Sequence, residues 1–132
     1  MDANTLELFH TSLNRAMDHP DFFQNFYQRF INSSDEIATM FQNKDMERIQ
    51  KKLKMTLETV TENADGEPGL GMYLELLGRI HHRLKITPEQ FALWRNALVE
   101  TAGECDPEFN RQVSGAWEQA IDEVIDKLQT AS

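Results

Sequence analysis

Leu77-Gly78-Arg79-Ile80-His81-His82-Arg83-Leu84-Lys85-Ile86-Thr87-Pro88-Glu89-Gln90-Phe91 is the stretch on which the rest of the chain turns. Leu70, Leu74, Leu77, His81 and Leu84 recur at three- and four-residue steps. That is the period of one helix face, and it predicts a helix over about 70–84. Thr87-Pro88-Glu89-Gln90 then reads as a helix start. Threonine caps, proline takes the first helical position where its missing N–H costs nothing, and glutamine closes the box. Two helices therefore meet at a short corner, with a histidine on the apolar face of the first. A histidine there costs free energy unless its nitrogens find partners. Read alone, His81 is first a core histidine bonded to a carbonyl; the sharper reading is a metal ligand, a task that suits neutral imidazole. His82 is turned about 100° away and belongs with solvent.

The same period runs outward in both directions. Leu6, Phe9, Leu13 and Met17 predict a helix over about 4–17, stopped by His19-Pro20. Phe23, Phe26, Tyr27 and Phe30 predict one over 21–32, broken by Asn32-Ser33-Ser34. Ser33 with Glu36 reads as a capping box for a short helix over 34–41. Asp45 caps a long helix over 46–63 whose face is Met46, Ile49, Leu53, Leu57 and Val60, with Lys51, Lys52 and Lys54 mostly turned away. Asp65-Gly66-Glu67-Pro68-Gly69 is a loop. The helix opened by Thr87 is expected to run to about 102, where Gly103 stops it. Asp106-Pro107 is expected to open the last helix, with Val113, Trp117, Ala120, Ile121, Val124 and Leu128 as its buried face. No stretch alternates with a two-residue period. The fold class is all-α, six or seven helices, and each needs its stripe buried on another to persist in water.

A length of 132 residues predicts a single domain over 1–132. Its 40% hydrophobic and 27% charged residues exclude a disordered chain. A net charge of −9 argues against nucleic acid or an anionic membrane surface as the main partner. The single cysteine, Cys105, cannot form an internal disulfide, and there is no CxxC pair for zinc or redox work. The start, MDANTLELFH, lacks a signal-peptide pattern, and no apolar run is long enough to span a bilayer, so the expected location is cytoplasmic. A glycine-rich phosphate loop, GxSxG and HExxH are all missing. Asp65-Gly66-Glu67 lacks the regular oxygen ligands of a calcium loop, and Asp122, Glu123 and Asp126 read as a wet helix face.

Three further side chains are candidates for chemistry. Tyr27 lies on a very aromatic face, where its hydroxyl wants a partner. Phe41 falls where the chain must turn after the short helix, and Gln50 neighbours the Ile49 stripe. Each has an ordinary alternative: a core tyrosine bonded to backbone, a plain apolar staple, a solvated glutamine.

Taken together, these residues resemble a globin from about Leu6 to Leu128. Phe26-Tyr27-Gln28-Arg29-Phe30 looks like the second helix of bacterial globins and flavohaemoglobins, where the tyrosine faces the gas-binding side of the haem. Fourteen residues on, Phe41 stands where the family has a phenylalanine wedged against the haem. Leu77 and His81 match the leucine and proximal histidine of the haem-bearing helix, and His81 through Phe91 is similar to the flavohaemoglobin corner. Ala116-Trp117 resembles a pair in the family's last helix. Each feature alone is weak; their order and spacing are specific.

The resemblance implies a globin fold of six to seven helices around a haem b pocket, with the family's D helix, between the short third helix and the long one after it, short or absent. It implies that His81 ligates the iron. Leu77, Ile86, Phe91, Trp94 and Leu98 would line the proximal or inner side. Tyr27, Phe41, Ile49 and Leu53 would line the distal side. Two distal registers stay open: Ile49 and Leu53 as the pocket pair with Gln50 a helper, or Gln50 as the family's distal glutamine, which would turn Lys54 toward the haem. The function implied is reversible binding of a diatomic gas (O2, NO or CO) for sensing, binding or detoxification. Flavohaemoglobins carry a reductase domain, for which this chain has no room, and a supporting tyrosine whose place is taken here by Phe91. The resemblance therefore implies a gas-binding protein more than a self-contained enzyme. The rivals are a haem-free globin-like signalling module and a nitric oxide dioxygenase served by an external reductase. A reductase or signalling partner, and a homodimer through the last two helices, are left open.

Overall fold

The computed structural model describes residues 2–62 and 68–130, with no side-chain description for 61–74 or 130. Seven helices and no strands occur among the described residues: α1 (Ala3–Asp18), α2 (Phe22–Ile31), α3 (Asp35–Met40), α4 (Met46–Glu62), α5 (Pro68–Arg83), α6 (Pro88–Cys105) and α7 (Arg111–Thr130). No described helix is long and apolar enough to cross a membrane. Residues 41–45, between α3 and α4, hold no helix. The 63–67 part of the expected loop lies outside the described residues, as do the side chains of Leu70 and Leu74.

Local chemistry accounts for most helix ends. Asp2 caps α1 by accepting from the Thr5 N–H at 2.7 Å. Ser34, rather than the expected Ser33, caps α3 through the Ile37 N–H at 3.1 Å; the Ser33 hydroxyl instead donates back to the Phe30 carbonyl at the end of α2. The capping box of α6 is complete: the Gln90 N–H donates to Thr87 Oγ1 at 3.1 Å, and the Thr87 N–H donates to Gln90 Oε1 at 2.9 Å. Proline opens α5 two residues before the predicted start, a position that suits it.

Two expected boundaries are corrected. Gly103 does not stop α6, which continues to Cys105. Gly103 stays exposed inside the helix, with the ring of Phe109 beside it. The stop is Pro107, which holds the preceding residue extended; Asp106 has φ −94° and ψ 110°. Asp106 does not cap α7 either. That helix starts at Arg111, with Asn110 Oδ1 accepting from the Val113 N–H at 2.8 Å. The Asp106 carboxylate is turned inward instead.

α1 packs against α2, α4, α6 and α7, α2 against α3 and α6, and α7 against α5 and α6. At the centre, the fully buried ring of Trp117 meets Phe9 edge-on, with centroids 4.9 Å apart and planes at 74°. Phe22, which the sequence pattern passes over, is also fully buried and tilts against Trp117. Burying side chains of this size contributes about 1.5–3 kcal/mol each. The predicted faces of α1, α2, α4 and α7 all supply this core, although Leu6, Met17, Phe23, Met46 and Ile49 are only half buried.

A buried polar knot joins the chain's two ends. Arg15 donates from Nε to Asp106 Oδ1 at 2.6 Å and from a terminal nitrogen to Oδ2 at 3.0 Å. Ser12 Oγ donates to Asp106 Oδ2 at 2.6 Å and accepts from Trp117 Nε1 at 2.8 Å. The Glu108 N–H adds a further bond at 2.9 Å. Burial alone would push the Asp106 carboxyl up; the donors from Arg15, Ser12 and Glu108 outweigh it and hold the group below its ordinary range. A second tie runs from α2 to α6, where Arg29 meets Glu104 at 2.7 Å, Thr101 at 2.7 Å and Glu100 at 3.3 Å.

Candidate functional site

His81 lies in the last turn of α5, half buried, with its ring 6.0 Å from that of Phe91. Its Nδ1 is 2.7 Å from the carbonyl oxygen of Leu77. A carbonyl can only accept, so Nδ1 carries the hydrogen, and in the neutral ring Nε2 keeps its lone pair. Among the described residues, Nε2 has no partner. His82 is exposed. Leu84, expected on the face of His81, is instead 61% exposed, at the last helical bond of α5, which its N–H donates to the Ile80 carbonyl.

The corner after α5 is closed by backbone. The Lys85 N–H donates to the His82 carbonyl at 3.0 Å and the Ile86 N–H to the His81 carbonyl at 3.2 Å. Lys85 takes a left-handed φ of 58° to make this turn. Ile86 is thereby folded back against the core, and Phe91, buried one turn into α6, reaches the imidazole. Gln90 also donates to Glu36 Oε2 at 3.2 Å, tying the start of α6 to α3.

Tyr27, on α2, is buried with its ring 4.7 Å from Phe26 and 5.9 Å from Phe41. Phe41 in turn meets Phe30 edge-on at 5.7 Å. Among the described residues the Tyr27 hydroxyl has no hydrogen-bond partner. Burial pushes its pKa well above the ordinary tyrosine value, so it is a neutral O–H donor at every physiological pH.

On α4, Leu53 is buried, and Ile49 is half buried and packed on the core. Gln50 is half buried. Lys54 is exposed and pairs with Glu58 at 3.8 Å, pointing out of the fold. Leu77, Ile86 and Trp94 are half buried against the core, whereas Leu98 has no accessible surface at all. The knot of Ser12, Arg15, Asp106 and Trp117 was missed by the sequence reading and lies outside this set; no local motif announces it.

The donor chemistry can be tested against a haem. No three His, Cys, Asp or Glu side chains converge to hold a metal ion among the described residues. An ion at Nε2 of His81 would therefore need its other ligands from a non-protein group, and the four nitrogens of a porphyrin supply them. The half-buried apolar residues Phe41, Ile49, Leu77, Ile86 and Trp94 each pack on the core and keep an accessible side. One oriented imidazole with apolar walls suits a flat apolar cofactor.

Comparison with known proteins bears on the same point. The family model for globins matches residues 7–128. A crystal structure of protein PA3967 from Pseudomonas aeruginosa PAO1, structurally highly homologous to a human haemoglobin, superimposes with a TM-score of 0.89. Its sequence identity is 26%, and the match covers 96% of this chain and 97% of that one. No match is found among curated protein sequences. With the oriented imidazole, the seven helices and the family match agreeing, the chain belongs to the globin family.

Proposed function

We propose that this chain holds haem b without covalent attachment and binds a diatomic gas reversibly, O2 first, with NO and CO as further ligands. The observation that carries the reading is the His81 tautomer: Nδ1 is occupied by the Leu77 carbonyl at 2.7 Å, which leaves Nε2 as the ligating atom. The haem would supply the iron centre at which the gas is taken up. The chain's own residues do the rest. The Leu77 carbonyl fixes the ring of His81 and raises its basicity as a ligand. Leu77, Ile86, Phe91 and Trp94 form the proximal and inner wall, with the fully buried Leu98 behind them. Phe41, Ile49 and Leu53 exclude water on the distal side, with Gln50 at its edge. Tyr27 offers an unengaged hydroxyl hydrogen to a polarised diatomic ligand. A reducing, cytoplasmic setting suits the lone buried thiol of Cys105.

Absorption spectra of the ferric, ferrous and carbonyl forms test the reading. A Soret band that shifts on reduction and again with CO is expected, and His81→Ala should abolish or alter it. A chain that shows no such band even after haemin is added is instead a haem-free globin-like module.

A further inference from the structure

Leu76, Ile80 and Leu84 stand in solvent on the outer side of α5, at 53, 40 and 61% exposure. They are four residues apart, and the Leu84 N–H still donates to the Ile80 carbonyl at 3.1 Å, so they form one stripe. The inner side of the same helix carries the buried Gly78 and the half-buried Leu77 and His81. Single exposed leucines are common on protein surfaces; three at helical spacing on one element are a line of contact without a cover.

The flanking charges say what fits there. Arg79 and Arg83 fall on the same outward arc of the helix, and Lys85 follows at the corner. Arg79 is held by Glu75 at 2.6 Å, while Arg83 and Lys85 have no ion pair among the described residues. The patch is thus basic on a chain whose net charge is −9. A second copy docked across a two-fold axis would set these cations against themselves, and a head-to-tail contact with the copy's acidic surface would not close. An anionic bilayer would attract the patch but repel the acidic remainder of the molecule. An acidic protein surface with its own aliphatic stripe meets neither objection.

We propose that the outer face of α5 docks an acidic amphipathic helix of a partner protein, with aliphatic side chains on Leu76, Ile80 and Leu84 and carboxylates on Arg83 and Lys85. Such an occupant would lie one helix breadth from His81. That last consequence rests on the ligation proposed above; the docking itself does not.

The probe is a synthetic helical peptide with leucines on one face and glutamates on the other, titrated by calorimetry into the protein as purified. Binding is expected, and it should weaken as ionic strength rises to about 0.5 M. Ile80→Asp and Leu84→Asp, both at exposed positions, should weaken it by about tenfold or more, as should Arg83→Glu with Lys85→Glu. Arg48→Glu with Lys51→Glu, an equal charge change on α4, should leave it within about twofold. Thermal melts of each variant must match the parent. No binding, or equal loss on changing α4, overturns the proposal. So does Ile80-dependent sedimentation with phosphatidylglycerol vesicles, which makes the face a lipid contact. A dimer in analytical ultracentrifugation that Leu84→Asp dissolves also overturns it.

Discussion

Arg15 and Asp106 lie 91 positions apart and meet through two hydrogen bonds of 2.6 and 3.0 Å inside the fold. The Asp106 side chain is wholly inaccessible, whereas the Arg15 side chain is 23% exposed. Asp106 therefore depends on Arg15, Ser12 and the Glu108 N–H, and removing any one leaves a buried group unmatched.

Asp106→Asn should consequently cost about 3–5 kcal/mol of folding stability, a large share of the total for a domain of this size. Urea denaturation at neutral pH, followed by tryptophan fluorescence, measures it. A loss below about 1 kcal/mol would mean that the knot contributes little.

The same group sets an acid limit. Its folded pKa lies below the unfolded value near 3.9, so its contribution is complete above that value and is lost as pH falls through the folded pKa. Stability of the parent chain should drop faster than that of Asp106→Asn below about pH 4. Parallel curves for the two proteins across that range would contradict this.

Tyr27→Phe separates folding from ligand retention. The hydroxyl has no partner among the described residues, so its removal should change stability by less than about 1 kcal/mol. O2 dissociation should accelerate by about ten- to a hundredfold, the worth of one hydrogen bond to a polar ligand. Stopped-flow displacement of O2 by CO reads the rate directly, and an unchanged rate removes Tyr27 from the mechanism.

The two adjacent histidines predict opposite outcomes. His81→Ala should lose haem or change its spectrum, while His82→Ala, at an exposed position, should leave both intact. Haem content after gel filtration is the measurement, and the reverse pattern would move the ligand to His82.

Lys85 gives a prediction that needs no cofactor. Its φ of 58° is unfavourable for a residue with a Cβ, so Lys85→Gly should raise stability by up to about 1 kcal/mol. Lys85→Val should lower it, because a branched side chain fits the left-handed region least. Thermal melts of the two variants should move in opposite directions.

Much of this molecule was legible in the chain because its signals are local. Helix stripes such as Val113, Trp117, Ala120, Ile121, Val124 and Leu128 repeat within a few turns, and the Thr87 to Gln90 box is complete within four residues. His81 stood out because a polar ring on an apolar stripe is a local anomaly. What could not be read depends on distant neighbours. Gly103 reads as a stop, yet the helix runs past it to Cys105 with the ring of Phe109 beside it. Asp106 before Pro107 reads as a cap until Arg15 and Ser12 are found to claim its carboxylate. Leu84 fits the buried face by spacing alone, yet it stands in solvent beside Ile80, because spacing does not say how far along α5 the core reaches.

The indole N–H of Trp117 donates to Ser12 Oγ, 105 positions earlier. During synthesis the first helix therefore emerges long before the residues that complete its seat. Its bond to the indole can form only after Trp117 has itself left the ribosome. Contacts of such long sequence separation carry a loop-closure cost that the local bonds of the helices around them do not.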